Sequence, residues 1–264
     1  MKRLVHIVVL CLLTFSAQAK VTDYTVRVLQ KYPHDGKAYT QGLFFHNGTM
    51  YETTGLKGQS SVRIVDYKTG KVTKKVAMPS YCFGEGSCIV DGTMMVLTWQ
   101  NSIAFEYDPV SLKCNRKMAY PREGWGLTAI PENLRKMYSG AVMVASDGSS
   151  HLYFLNGSLK TLKTVNVTFN GRSLALLNEL EWIDGKIWAN IYTSDIIVII
   201  NPSTGVVEGK IDCSGLIPAR NRTASMDVLN GIAFLPSPSQ GGRGSIFLTG
   251  KNWPWLFRVE LVKR

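Results

Sequence analysis

Short runs of alternating apolar and polar residues, bounded by Gly, Asn, Asp or Pro, recur along the chain from Tyr24 onward. The i, i+3, i+4 spacing of an amphipathic helix is almost absent, so the pattern predicts an all-β protein. The runs also repeat. New units open at Gln41-Gly42-Leu43, Glu85-Gly86, Trp125-Gly126-Leu127, Asn178-Glu179-Leu180 and Asn230-Gly231-Ile232. Their intervals of roughly 40 to 55 residues are those of propeller blades. The expected fold is a five-bladed β-propeller.

In the first unit, Gly42–His46, Met50–Thr54, Val62–Tyr67 and Lys71–Met78 read as successive strands, with turns at Asn47-Gly48 and Lys68-Thr69-Gly70. The fourth unit keeps the plan: a turn at Asp184-Gly185, strands Ile187–Tyr192 and Ile196–Ile200, then Ser203-Thr204-Gly205 before the outer strand. The last unit supplies Gly231–Leu235, Ser245–Thr249 and Trp255–Val262 and is one strand short. Tyr24–Tyr32 reads as a lone strand, so the N-terminal strand is expected to complete the last blade and remove an aggregation-prone edge. Such closure leaves no internal boundary. Residues 20–264 are expected to form a single domain, with Pro236–Gly244 as a surface loop.

Met1-Lys2-Arg3, the apolar stretch Leu4–Phe15 and the small-x-small Ala17-Gln18-Ala19 have the form of a signal peptide over residues 1–19, cleaved after Ala19. The apolar stretch is shorter than the roughly 20 residues a spanning helix needs. The mature chain is therefore expected to be secreted, periplasmic or in the secretory pathway, without stable membrane insertion. Loss of Lys2 and Arg3 lowers the formal charge from +11 to +9. The remaining Lys and Arg are scattered, which argues against a nucleic-acid partner. Cys82, Cys88, Cys114 and Cys213 make an even number that an oxidising compartment could pair in any of three ways. There is no CxxC spacing or Cys/His cluster, and only His34, His46 and His151 follow the leader, so no zinc site is expected.

The innermost strand of a propeller blade lines the central channel. The residues that open those strands, Gln41, Glu85, Trp125, Asn178 and Asn230, should therefore gather at one mouth. The ends of the neighbouring strands add Trp99, Tyr192 and Lys251. A carboxylate, carboxamides and rings around one concavity make a polar, water-poor pocket. Glu85 stands out, because the flanking Gly84 and Gly86 let backbone approach closely and leave its side chain unshielded.

The motifs Tyr32-Pro33-His34-Asp35, Tyr39-Thr40-Gln41-Gly42-Leu43, Phe83-Gly84-Glu85-Gly86, Leu97-Thr98-Trp99, Gly124-Trp125-Gly126-Leu127, Asn178-Glu179-Leu180-Glu181-Trp182, Trp188-Ala189-Asn190 and Gly250-Lys251-Asn252-Trp253-Pro254 resemble the glutamine cyclotransferase family of plants and bacteria. The resemblance runs in order over essentially the whole mature chain. It implies an acyltransferase that converts the N-terminal glutamine of peptides or proteins to pyroglutamate, releasing ammonia, with no catalytic metal or other cofactor. It further implies that Glu85 is the acid/base, with Gln41, Asn178 and Lys251 on the substrate amide or the developing charge. Trp99, Trp125 and Tyr192, with Tyr39 and Phe83, would enclose the glutamine. Tyr192 stands where plant members tend to have Trp, and Tyr39 where Phe is common; both keep a ring.

The expected partners are peptides or proteins with N-terminal Gln, and the expected state is a monomer. A non-catalytic peptide- or protein-binding propeller is the alternative, since fold alone does not give function. A metal-dependent hydrolase ranks lower, because it needs several oxygen ligands on one cation and the ring offers Glu85, with Glu179 beside a carboxamide. A structural cation held by backbone carbonyls in the channel would leave no side-chain signature.

Overall fold

The computed structural model describes residues 20–237, 239 and 242–264, and within them the alternating runs become strands joined by turns and loops. The expected leader lies outside the described residues. These are all-β, with twenty-two strands and two 3-10 helices, Glu132–Tyr138 and Ala219–Asn221. Thr40–His46, Thr49–Thr54, Ser61–Asp66 and Lys71–Ala77 form one antiparallel sheet in chain order. Gly84–Val90, Thr93–Thr98, Ile103–Tyr107 and Cys114–Ala119 form a second, and Leu127–Ala129, Met143–Ala145, His151–Leu155 and Thr161–Asn166 a third.

Thr168–Phe169 and Arg172–Ser173 pair as a two-stranded hairpin, and the largest sheet has eight strands in two antiparallel halves. Leu177–Ile183, Lys186–Ile191, Ile196–Ile200 and Val207–Asp212 make one half; Leu229–Leu235, Ser245–Gly250, Trp255–Lys263 and the N-terminal Thr22–Pro33 make the other. They join where Thr22–Thr25 runs parallel to Gly209–Asp212. The expected pairing of the N-terminal strand is present, with Tyr24–Pro33 antiparallel to Trp255–Lys263. The predicted strands match to within two residues, the usual latitude of strand ends. Asn47-Gly48 and Asp184-Gly185 both take positive φ, 49° and 76° in the first and 47° and 76° in the second, the hand that suits twisted hairpins.

Burial falls outward across each sheet. Every residue of Gly84–Val90 and Leu177–Ile183 is buried, whereas Lys71–Ala77 and Cys114–Ala119 are largely exposed. The inner strands adjoin in a closed order: Leu229–Leu235 lies beside Thr40–His46, then come Gly84–Val90, Leu127–Ala129 and Leu177–Ile183, and the last returns to Leu229–Leu235. Two buried carboxyls on one strand tie this centre together. Glu179 accepts from the backbone N–H groups of Leu43 and Ile232 at 3.4 and 2.8 Å, and Glu181 from that of Phe234 at 3.0 Å.

The third unit departs from the plan. Its inner strand has three residues, and the helix Glu132–Tyr138 precedes the next strand, with Tyr138 packed on Phe154 and Trp182. The cysteines are a second departure. Cys82, Cys88 and Cys213 are free thiols buried in three different apolar clusters, and Cys114 is free at the surface, so none of the three possible sets of pairs forms.

A buried ion cluster clasps the chain ends to the first sheet. His34 donates from Nδ1 to the Trp253 carbonyl at 2.7 Å, and its Nε2 lies 3.0 Å from Glu52 Oε1. Arg63 Nη1 donates to Asp35 Oδ2 at 2.8 Å and to Glu52 Oε2 at 3.5 Å, and Thr40 Oγ1 donates to Glu52 Oε1 at 2.8 Å.

Candidate active site

Four of the inner strands open on a break in the ladder. Register shifts between Thr40 and Gly42, Gly84 and Ser87, Leu177 and Leu180, and Leu229 and Ile232 leave Gln41, Glu85-Gly86, Asn178-Glu179 and Asn230-Gly231 out of step with their partners. A bulge bends the strand and re-aims a side chain that regular pleating would direct to a sheet face. At Gly86 the close approach demands glycine. Its N–H donates to the Trp125 carbonyl at 2.7 Å, and a Cβ there would sit 2.5 Å from Leu127 N and 2.6 Å from Trp125 O.

The nine residues expected at the site, Tyr39, Gln41, Phe83, Glu85, Trp99, Trp125, Asn178, Tyr192 and Lys251, together line one cavity of about 160 Å³. The four polar ones are buried, with Gln41 and Glu85 4%, Lys251 3% and Asn178 2% exposed. The five rings are half-buried. Tyr39 meets Phe83 edge to face at 5.9 Å, Phe83 meets Trp99 at 5.6 Å, and Trp125 meets Tyr192 at 5.4 Å. Lys251 Nζ sits 4.9 Å from the centres of both the Tyr39 and Tyr192 rings, within cation–π reach. Trp99, Tyr192 and Lys251 each occupy the position just beyond the second strand of their unit, as the repeat predicts.

The orientation of Gln41 is set by Asn230. Asn230 Nδ2 donates to Gln41 Oε1 at 3.2 Å and to the Thr40 carbonyl at 2.9 Å, so Gln41 Nε2 is the end that donates to Glu85 Oε1, at 2.8 Å. Burial lifts the Glu85 pKa well above the carboxylate range, against the Lys251 charge and the Gln41 hydrogen bond, and the Glu123 charge adds to the lift. Burial lowers the Lys251 pKa, opposed by the charges of Glu85 and Asp227. Asn178 is fixed through its backbone: Ser146 Oγ donates to the Asn178 carbonyl at 2.7 Å while accepting from Gly126 N at 2.7 Å.

Three contributors lie outside the expected set. Asn230 is a ring position, but its grip on Gln41 requires the fold. Asp227 accepts from the Tyr39 hydroxyl at 3.0 Å, and its N–H donates to the Lys251 carbonyl at 2.9 Å; nothing in its local sequence singles it out. Glu123 contacts two of the tryptophans, and a charged residue beside Gly124, as Glu85 is beside Gly84, is the signal that would have found it. Among the described residues no group of three or more His, Cys, Asp or Glu side chains is arranged to hold a metal ion.

Residues 4–261 match the sequence model of the glutamine cyclotransferase family. A glutaminyl-peptide cyclotransferase of Arabidopsis thaliana is 37% identical over 245 residues, covering 89% of this chain and 71% of that protein. The crystal structure of Myxococcus xanthus glutaminyl cyclase superposes with a TM-score of 0.80 at 32% identity, covering 93% of this chain and all of that one. Family match, sequence identity and backbone agree over nearly the same span, and the chain belongs to the glutamine cyclotransferase family.

Proposed function

We propose that this enzyme cyclises the N-terminal glutamine of peptides or proteins to pyroglutamate, releasing ammonia, by metal-independent acid–base catalysis through Glu85. The observation that carries the reading is a buried carboxyl with a raised pKa, held by Gln41 and walled by five rings in a cavity of about 160 Å³.

The reaction needs few parts. The substrate's α-amine attacks its own γ-carboxamide carbon, so nucleophile and electrophile already share a molecule, and the rings need only hold the folded-back rotamer. The bond from the α-nitrogen to the amide carbon forms, and the carbonyl oxygen gains negative charge. Lys251 and Asn178, both buried on the cavity wall, are the donors suited to that oxygen. The attacking nitrogen then sheds a proton and the departing NH₂ gains one. Glu85 as carboxylate takes the first and as acid delivers the second, leaving lactam and ammonia. A carboxyl lifted out of its ordinary range serves both halves better than one fixed as an anion. Gln41, pinned by Asn230, keeps the Glu85 carboxyl in place between the two transfers.

The same reading takes the architecture as a five-bladed propeller, supported by the closed order of inner strands and by the N-terminal strand pairing in the last unit. It includes a leader cleaved after Ala19 and export, which rest on the character of residues 1–19. It also takes the mature chain as one catalytic domain working as a monomer without nucleic acid.

The test is ammonia release, with the matching mass loss, from a short Gln-initiated peptide, with and without a strong chelator. Turnover that survives chelation is expected. Loss on chelation overturns the metal-independent mechanism, and no turnover by folded protein overturns the enzymatic reading in favour of peptide binding.

A further inference from the structure

The contacts around the cavity mouth run Tyr192 to Lys251 to Tyr39 to Phe83 to Trp99 on one side, and Tyr192 to Trp125 on the other. Trp99 and Trp125 come from different sheets, and a carboxylate joins them. Glu123 Oε2 accepts from Trp99 Nε1 at 2.8 Å and from Trp125 Nε1 at 3.2 Å, while Glu123 Oε1 accepts from Gln100 Nε2 at 3.1 Å. An indole can only donate, and one carboxylate oxygen has two acceptor sites, so a single atom satisfies both rings. Such charge-assisted bonds are stronger than neutral ones. The backbone beside Glu123 is pinned as well. Gly124 N lies within hydrogen-bond reach of the Thr98 and Trp99 carbonyls, at 3.0 and 3.2 Å.

We infer that Glu123 is a positioning residue for the cyclisation, fixing the two tryptophan walls at one separation through a shared carboxylate oxygen. The inference rests on the cyclase reading above. It adds that the width available to the glutamine side chain is set from outside the cavity. The Glu123 charge has a second effect. Glu85 faces Lys251, whose cation lowers its pKa, and the phenol of Tyr39; Glu123 is the anion whose field favours the protonated carboxyl.

The experiment compares Glu123→Ala and Glu123→Gln with the parent on a Gln-initiated peptide. Glu123→Ala lowers kcat/KM by roughly 10- to 100-fold, the scale of a misplaced wall, mainly through KM. Glu123→Gln recovers most of it, because the amide oxygen still accepts both indoles. In both variants the limb of the pH profile governed by Glu85 moves to lower pH, since an anion near a carboxyl has been removed; a merely structural residue would not move it. Parent-like kinetics in Glu123→Ala, a Gln variant no better than Ala in folded protein, or an unmoved limb would each overturn the proposal. Near-UV circular dichroism reads the tryptophan geometry independently of turnover and should change in Glu123→Ala more than in Glu123→Gln. If the parent cyclises nothing while that spectral difference holds, the cyclase reading fails and the wall-setting contact stands. If the parent cyclises and both variants keep its spectrum, the contact fails alone.

Discussion

Thr40 and Gln41 are adjacent in one strand, and their side chains reach into two clusters of buried charge built on opposite rules. Thr40 donates to Glu52, within the clasp of His34, Glu52, Arg63 and Asp35, while Gln41 donates to Glu85 in the cavity. In the clasp each charge meets an opposite one at hydrogen-bond distance. Burial opposes the charged His34 ring, yet the Glu52 carboxylate, the Trp253 carbonyl and Asp35 together outweigh it and the His34 pKa rises. Burial likewise opposes the Glu52 charge, but His34, Arg63 and Thr40 hold its pKa below the ordinary range. In the cavity the hydrogen bond to Glu85 comes from a neutral amide, and Lys251 lies against two rings. There burial wins: Glu85 moves up and Lys251 down, each toward the other. Contact pairing locks charge into structure, whereas separation across an apolar cavity leaves a proton available for transfer.

The largest effect that would break this contrast is expected at Glu85. Glu85→Gln keeps the shape and a partner for Gln41 but cannot carry a proton, so kcat should fall by about 10²- to 10⁴-fold while the melting temperature holds. Ammonia release from a Gln-initiated peptide, set beside thermal melts of the same preparation, checks it. A near-parental rate would remove Glu85 from the chemistry.

Glu52→Gln should do the reverse. It leaves His34 and Arg63 buried opposite a neutral amide, and breaking a buried pair from one side costs about 3–5 kcal/mol. Urea unfolding should show the loss while the folded fraction still turns over. The pH dependence follows from the two shifts. The His34 contribution is complete below the ordinary histidine pKa and is lost as pH rises through its raised value; the Glu52 contribution is present above the ordinary carboxyl range and is lost as pH falls through its depressed value. Stability of the parent should therefore be highest in mildly acidic solution, and Glu52→Gln should flatten that optimum. An unchanged unfolding midpoint would mean that the clasp adds nothing.

These two clusters were unequally legible. The cavity residues recur at matched positions of a repeat, so counting from the start of one inner strand and the end of the next was enough to bring Gln41, Glu85, Asn178, Trp99, Tyr192 and Lys251 together. His34 and Asp35 were visible as part of a motif, but their partners Glu52 and Arg63 lie on other strands at no repeated position. The bulges at Glu85-Gly86 and Asn178-Glu179 were hidden for a related reason. A period of two shows which face a residue takes, not where the ladder slips. The helix Glu132–Tyr138 is a single irregular insertion within the third unit and alters no repeat position. Glu123 bonds Trp99 across two sheets, a relation that alternation along one strand does not encode.

Glu181 offers the smallest effect and the sharpest control, because it is a buried carboxyl with no paired cation and no place in the active-site cavity. Burial pushes its pKa up to about 8, against hydrogen bonds from Phe234 N, Thr128 and Trp182 N. Its folded pKa is raised, so the unfolded chain releases this proton first, and stability falls as pH rises from the ordinary carboxyl range to about 8. Glu181→Gln cannot ionise and escapes that fall. It should match the parent near pH 4 and exceed it above pH 8, where even about 1 kcal/mol appears as roughly 2–4 °C in Tm for a chain of this size. Turnover should be unaffected, since Glu181 does not line the cavity. Parallel Tm curves for parent and variant across that range would show that burial alone does not hold a proton here. The raised pKa of Glu85 would then have to come from its particular neighbours, Glu123 foremost, rather than from the apolar walls around it.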